Sequence, residues 1–369
     1  MIPTNFSALV GNETIKRYLA HMVEKGAIGN SLLFTGQEGI GKSLFAQVLA
    51  AMVIGLDDPQ GTHRAKIEKG QHPDIHVYRP EGKLGLHSIQ TMRQLSEEVY
   101  LPPYEAKWKV FIVHEADRML TYSANALLKT FEEPPPCTLI ILLSRSQSAL
   151  LPTILSRCRI LQFQTIPQAT IEQFLIDRHQ IDPQAAKNSA HLSQGSIGRA
   201  IQLIEHGGDT LRSSLLNLLA QGAFSCYKSL SEAVGELTAQ IEKSRKQAEE
   251  AAKEELYKIP ADQLSALQQH SLEKELEGLS TMAFIQETQT LFNQFLSWYR
   301  DLHVLYHGGA RGYLINPDYV PELEQIGQRG NLPAIEQVQK MIDEAQLALQ
   351  RSTSLQICLE NLFLKLGYL

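Results

Sequence analysis

Cysteine is scarce in this chain: Cys137, Cys158, Cys226 and Cys358 are four in 369 residues, far apart and with no C-x-x-C pair. That spacing excludes a thiol zinc knuckle and gives no reason for an oxidising compartment. Long apolar runs are missing too. No stretch reaches the roughly 20 residues of a membrane-spanning helix, and Met1 to Phe6 hold no basic segment leading into an apolar one. The expectation is a cytoplasmic protein with no membrane contact. Excess positive charge is also lacking, since the net charge is −6. Any contact with nucleic acid must therefore come from a local patch or through a partner. Internal repeats and low-complexity tracts are absent. What remains is an ordinary globular composition, 43% hydrophobic and 20% charged, long enough for two or three domains.

The strongest positive signal lies between Leu32 and Phe45. Apolar Leu32, Leu33 and Phe34 lead into a glycine-rich turn that closes on Lys42 and Ser43, and Phe45, Val48, Leu49 and Met52 recur at helical spacing beyond it. Strand, loop and helix in that order form a phosphate-binding loop. Glycines let backbone N–H groups point inward, where the N-terminus of the following helix also favours anionic oxygens. The candidate cradle is Gly36, Gly39, Ile40, Gly41, Lys42, Ser43 and Leu44, with Lys42 reaching the terminal phosphates and the Ser43 hydroxyl holding Mg²⁺. The plain alternative is a glycine-rich turn that binds nothing.

Around this loop the chain alternates strands and helices. Residues 7–29 read as one amphipathic helix on Ile15, Leu19, Met22 and Val23. Asp74 to Tyr78 is a short alternating strand, and Ser88 looks like the N-cap of a helix carrying Ile89, Met92, Leu95 and Val99. Lys109 to Val113 and Thr138 to Leu143 are buried runs suited to the centre of a parallel sheet. Ser123 to Phe131 is helical between them, stopped by Pro134, Pro135 and Pro136. The first half is thus an α/β P-loop domain. From about residue 167 the strand signal stops. Short helical patterns and a turn at Gly195 to Gly198 fill 167–208, and Gly207 and Gly208 mark a boundary. Helical patterns then run through 209–369. Within them, 240–280 is a charged segment, with nine charges of both signs between Glu242 and Glu255 and an interruption at Pro260. A solvated helix or hairpin accounts for it.

Six stretches together resemble a family: Val10 to Glu13, Gly36 to Ser43, Ile67 to Asp74, Ile112 to Met119, Asn125 to Pro135 and Leu151 to Cys158. In this order they are similar to the clamp-loader ATPases of bacterial DNA polymerase III, which belong to the AAA+ class. The resemblance covers roughly residues 5–210. Its most specific part is Ser156, Arg157 and Cys158 following the run from Leu127 to Pro135. It implies an AAA+ domain over 1–166, a helical lid over 167–208 and a helical collar over 209–369. The last is matched only loosely, through Trp298 to Asp301 among others.

The resemblance also implies roles. ATP or ADP with Mg²⁺ would occupy the loop. The strand after it normally ends in Asp-Glu in this class, the Asp serving Mg²⁺ and the Glu positioning the attacking water. Here the pair is His114 and Glu115. Imidazole suits hard Mg²⁺ poorly, so binding survives while hydrolysis suffers. Glu115 alone reads equally as a helix-start carboxylate. Ser144 falls where the family keeps a γ-phosphate sensor, and Arg199 where it keeps a second sensor in the lid; each could also be a cap or a surface charge. Arg157 matches an arginine finger that projects to a neighbouring subunit's ATP, a role its planar, permanent charge suits. Cys158 reads as core filler. Many relatives carry a four-cysteine zinc module before the Glu68 to Asp74 stretch. Residues 55–66 have no cysteine and only His63 as a ligand, so no zinc is expected.

The function that fits is a clamp-loader subunit. Its partners would be gamma/tau-like and delta-like subunits, the sliding clamp and, through the complex, primed DNA. It would be at most a weak ATPase. A free-standing P-loop ATPase acting on nucleic acid is the alternative, opposed by His114, the negative charge and the helical second half. A scaffold that binds no nucleotide is opposed by the intact loop.

Overall fold

The computed structural model describes residues 5–58, 60–205, 209–256, 266–328 and 332–368. Five short strands form one sheet: β1 (Ser31–Thr35), β2 (Ile75–Tyr78), β3 (Lys109–Val113), β4 (Thr138–Ser144) and β5 (Arg159–Gln162). All pair in parallel, in the order β2-β3-β4-β1-β5. The helices that accompany them are α1 (Glu13–Glu24), α2 (Lys42–Ile54), α3 (Arg64–Glu68), α4 (Ile89–Val99), α5 (Thr121–Asn125), α6 (Leu128–Glu132) and α7 (Pro152–Leu155).

Alternation along the strands divides the apolar side chains between two cores. Leu32, Phe34, Val110, Ile112, Leu139 and Ile141 pack with Leu19 of α1 and Phe45, Val48 and Leu49 of α2. Leu33, Phe111, Val113, Ile140 and Leu142 pack with Met92, Leu95 and Val99 of α4 and with Phe131 of α6. A parallel sheet covered on both faces needs such continuous apolar strands, and burying each large side chain contributes about 1.5–3 kcal/mol. Three more helices, α8 (Gln168–His179), α9 (Pro183–Leu192) and α10 (Ile197–Glu205), close a small core of their own on Ile166, Ile171, Leu175, Ala186, Ala190 and Ala200.

The chain divides into two compact units, Met1–Gly207 with Leu264–Leu279, and Gly208–Gln263 with Ser280–Leu369. Gly207, Gly208 and Pro260 themselves lie outside the described residues. The second unit is helical throughout its described residues, apart from turns: α11 (Thr210–Gln221), α12 (Tyr227–Leu256), the larger part of α13 (Ala266–Tyr306), α14 (Val320–Gly327), α15 (Ile335–Gln350) and α16 (Leu355–Lys365). Its core gathers Trp298, Phe292, Phe295, Leu302, Leu359 and Phe363.

Several elements differ from the sequence expectation. The helix expected over 7–29 begins only at Glu13, because Asn12 is left-handed (φ 54°) and its side chain bonds both backbone groups of Gln164. The helix over 123–131 is two, α5 and α6, parted at Ala126 and Leu127. β5 carries little apolar signal because it lies at the sheet edge with Arg159 and Gln162 exposed. The charged segment 240–280 is not one insertion. Its first part continues α12, and residues 264–279 belong to the first unit, where the Gly82 N–H donates to Lys274 O at 2.9 Å and Arg79 pairs with Glu275 at 3.3 Å.

A buried polar knot holds the second unit. Asp301, fully buried, accepts from the Ile315 N–H at 3.0 Å and from the Asn316 N–H at 2.7 Å. Burial pushes its carboxyl pKa up, and these donors pull it back. Arg212, 5% exposed, forks onto Asp318 with two bonds of 2.7 Å and donates to Asn316 Oδ1 at 2.9 Å. Arg212→Ala removes one partner of a buried pair and is expected to cost about 2 kcal/mol of unfolding free energy, less than a fully buried pair because Asp318 is partly solvated. Arg212→Lys keeps charge without the fork and should recover under half of that loss. Urea unfolding of the three chains followed by circular dichroism measures it.

Candidate functional site

The turn after β1 leaves the C-terminal edge of a parallel sheet, where ligands of such folds bind. Two of its glycines are demanded by space. Gly36 has φ +143°, and a Cβ there would lie 2.7 Å from Phe163 O. At Gly39 (φ +72°) a Cβ would lie 2.2 Å from Ser196 Oγ, because the turn that begins α10 rests on the loop and the Gly198 N–H donates to Gly39 O at 2.8 Å. Gly41 is the N-cap of α2, and Ser43 and Leu44 follow in its first turn. Ile40 is a core residue, 1% exposed, so only its backbone is free to serve a ligand.

Lys42 folds back on its own loop, donating to Gly36 O at 2.6 Å and Gln37 O at 2.8 Å. Burial lowers its pKa to about 8, opposed by the nearby carboxylates of Glu38, Glu115 and Asp117. Glu38 is itself paired with Arg145 at 2.7 Å. The register Thr35↔Ser144 sets Ser144 beside the start of the loop. Its hydroxyl donates to Ser146 O at 2.8 Å. Arg199 stands in the first turn of α10, its N–H bonded to Ser196 Oγ at 3.2 Å.

At the end of β3 the two expected residues differ in character. Glu115 is left-handed (φ 42°), a costly conformation outside glycine. Burial, and the charges of Glu38 and Asp117, push its pKa up. His114 Nε2 is buried without a hydrogen-bond partner. Burial first, then Arg79 and His87, lowers the His114 pKa to about 3, so the ring is neutral at pH 7. A neutral ring supplies no negative charge to a cation in the loop.

The fold therefore gathers the loop, Ser144, Glu115 and the start of α10. Arg157 is elsewhere. It follows α7 and precedes β5, whose register with β1 runs from Leu32↔Arg159 to Thr35↔Gln162. In parallel strands that places Arg157 at the sheet end opposite the loop. It donates to Thr153 O at 2.8 Å and pairs with Glu132. Cys158 is largely buried, and burial pushes its thiol up to about 12, which fits a packing role.

Sequence reading missed the charges around Lys42. Glu38 and Arg145 each adjoin a residue already singled out, and Asp117 stands two beyond Glu115, but their convergence crosses three loops. It also treated His63 as isolated. Folding brings His72 and Glu105 to it, with His63 Nδ1 2.9 Å from His72 Nε2.

Residues 11–167 match the family model described as DNA polymerase III, delta subunit. DNA polymerase III subunit delta-prime of Bacillus subtilis is 33% identical over 194 residues, 51% of this chain and 58% of that one. The gamma/tau subunit of Mycoplasma genitalium is 31% identical over 214 residues, 55% of this chain and 35% of that one. The chain thus spans between about a third and three fifths of the length of these relatives. Among solved structures, a gamma subunit-related protein of Thermotoga maritima aligns over 95% of this chain and 97% of its own at a TM-score of 0.42 and 18% identity.

The His114 ring has a stability consequence. Its folded pKa, about 3, lies below the unfolded value of 6.5, so the unfolded state takes up the proton first as pH falls. Stability is unaffected above pH 6.5 and declines below it, by up to about 1.4 kcal/mol per pH unit for one such group. His72 and His87 are shifted in the same direction by burial and add to the slope. Urea midpoints at pH 7 and pH 5 should therefore draw closer in His114→Gln than in the wild type. An unchanged gap would mean that the ring already protonates freely in the folded chain.

Proposed function

We propose that the chain, which through residues 11–167 is similar to DNA polymerase III clamp-loader subunits of the gamma/tau and delta-prime type, is a delta-prime-like subunit. In this reading it binds ATP or ADP at Gly36 to Leu44, hydrolyses it slowly if at all, and supplies Arg157 to a neighbouring ATPase subunit. Its assembly would help open a sliding clamp and place it on primed DNA.

The observation that carries the reading is the position of Arg157. Lying at the sheet end opposite its own loop, it serves another chain's nucleotide more readily than its own. In the free chain Glu132 neutralises it. Docking against a phosphate would replace that carboxylate with a more highly charged anion, and the planar fork meets two oxygens at once.

At the loop, a nucleotide's phosphates would draw the Lys42 ammonium away from Gly36 O and Gln37 O, which hold it now. Mg²⁺, held in part by Ser43, would neutralise phosphate charge there. Ser144 and Arg199 flank the place for the terminal phosphate, and Glu115 is the candidate to orient water. The neutral ring of His114 provides no carboxylate beside the cation, which favours binding over turnover. The second unit, with its own core and knot, is the candidate for assembly with the other subunits.

Lys42→Ala should lower nucleotide affinity by about 100-fold, the worth of about 3 kcal/mol of charge-assisted bonding. Isothermal titration with ATP and Mg²⁺ measures it, and equal affinities would refute a nucleotide role for the loop. Arg157→Ala should leave this chain's folding and nucleotide binding unchanged. In the reconstituted loader it should slow ATP turnover at one neighbouring site by roughly 10³-fold, with Arg157→Lys rescuing poorly. Single-turnover ATPase rates of complexes carrying wild type or either variant decide it; three equal rates would leave Arg157 an ordinary surface residue.

A further inference from the structure

Away from the phosphate loop, three side chains from both ends of α3 and from the loop before β3 converge on one point. His63 precedes α3, His72 follows it in the turn before β2, and Glu105 lies in the loop before β3. His63 Nδ1, His72 Nε2 and Glu105 Oε1 form a triangle with sides of 2.9, 3.3 and 3.7 Å. Metal–ligand bonds of about 2.0–2.1 Å at tetrahedral angles place ligand atoms about 3.3 Å apart. The triangle is therefore close to one face of a tetrahedron. We propose that His63, His72 and Glu105 form a binding site for a divalent metal ion of the zinc class, with water as the fourth ligand.

Each ligand is held from outside the triangle. The Asp58 carboxylate accepts from the His63 N–H at 2.8 Å and from the Thr62 N–H at 2.9 Å. Asp74, fully buried, accepts from the backbone N–H groups of Tyr104, Glu105 and Ala106. Burial works against its charge, yet the three donors win and keep its pKa below the ordinary carboxylate range. The loop that carries Glu105 is thus pinned to the residue two places beyond His72. Lys66 takes Glu105 Oε2 at 2.6 Å, leaving Oε1 beside the two ring nitrogens. The His72 side chain is fully buried, while His63 and Glu105 keep 16% and 23% of theirs exposed, so an ion can enter from their side.

Two neutral imidazoles and one carboxylate suit zinc better than magnesium or calcium, which prefer oxygen alone. Without metal, His72 Nδ1 accepts from the Asp74 N–H at 3.1 Å, so its proton sits on Nε2 and points to His63 or Glu105. Metal binding moves that proton to Nδ1 and gives up the bond from the Asp74 N–H. Two hydrogen bonds of the ring, that from the Asp74 N–H and that between His72 Nε2 and His63 Nδ1, are lost against three metal–ligand bonds, with no net proton release from this ring.

The test uses the full chain, stripped with a chelator and titrated with Zn²⁺ and separately with Co²⁺. One equivalent of Zn²⁺ should bind and raise the thermal midpoint, since a ligand of the native state alone stabilises it. Co²⁺ should give the intense visible bands of a four-coordinate site. Glu105→Gln and His63→Ala, chosen because both side chains are partly exposed, should weaken zinc at least about tenfold and abolish those bands, with far-ultraviolet circular dichroism unchanged. His21→Ala, on the exposed face of α1, should leave both intact. Zinc isotherms that are identical in the wild type and both variants would place the metal elsewhere and overturn the assignment. No saturable binding, or only the weak bands of six-coordinate Co²⁺ in the wild type, would leave the trio as a hydrogen-bonded cluster and overturn the proposal.

Discussion

The insertion of β1 between β4 and β5 is the constraint on which the first unit depends. Parallel pairing sends every strand in one direction, so the loops that leave β1 and β4 must meet at one end of the sheet and the segment that enters β5 must lie at the other. The phosphate loop and Ser144 become neighbours through the register Thr35↔Ser144. By the same logic Arg157 is kept away from its own loop, through the register of β5 with β1. A molecule built this way separates its phosphate-loop motif from Arg157. The separation costs nothing extra, because the apolar strands require the same pairing for burial.

Electrostatics at the loop reflects burial as much as charge. Lys42 is a cation in a desolvated place, satisfied by its bonds to Gly36 O and Gln37 O. Glu38, Glu115 and Asp117 surround it, with Arg145 moderating the first. His114 responds to the same burial by giving up its proton. Despite desolvation the lysine, supported by these carboxylates, stays charged at neutral pH, while the histidine is uncharged.

A second theme is the use of buried carboxylates as pins for loops. Asp74 holds Tyr104 to Ala106 and Asp301 holds Ile315 and Asn316, each through consecutive backbone N–H groups. Loops lack the internal pairing of helices, and a buried amide without a partner is expensive. One carboxylate with two oxygens satisfies two or three such amides and fixes the loop in the same step. In the first unit this brings Glu105 to His63 and His72. In the second it positions Asn316, one of the two residues that Arg212 grips.

The sequence by itself determined the phosphate loop, both central strands and the Ser88 cap, because each is written in adjacent residues: glycines that allow a turn, apolar runs that demand burial, a hydroxyl that reaches an N–H three residues on. The fold class was legible for the same reason. β5 was not, because an edge strand buries little and so carries little apolar signal. The break between α5 and α6 was hidden by a composition that stays helical across it. Which carboxylates surround Lys42, where Arg157 stands relative to its own loop, and that His63 has His72 and Glu105 beside it were decided only by tertiary structure. Those relations depend on strand order and loop pinning, and no local pattern encodes how close separate loops come once the chain has folded.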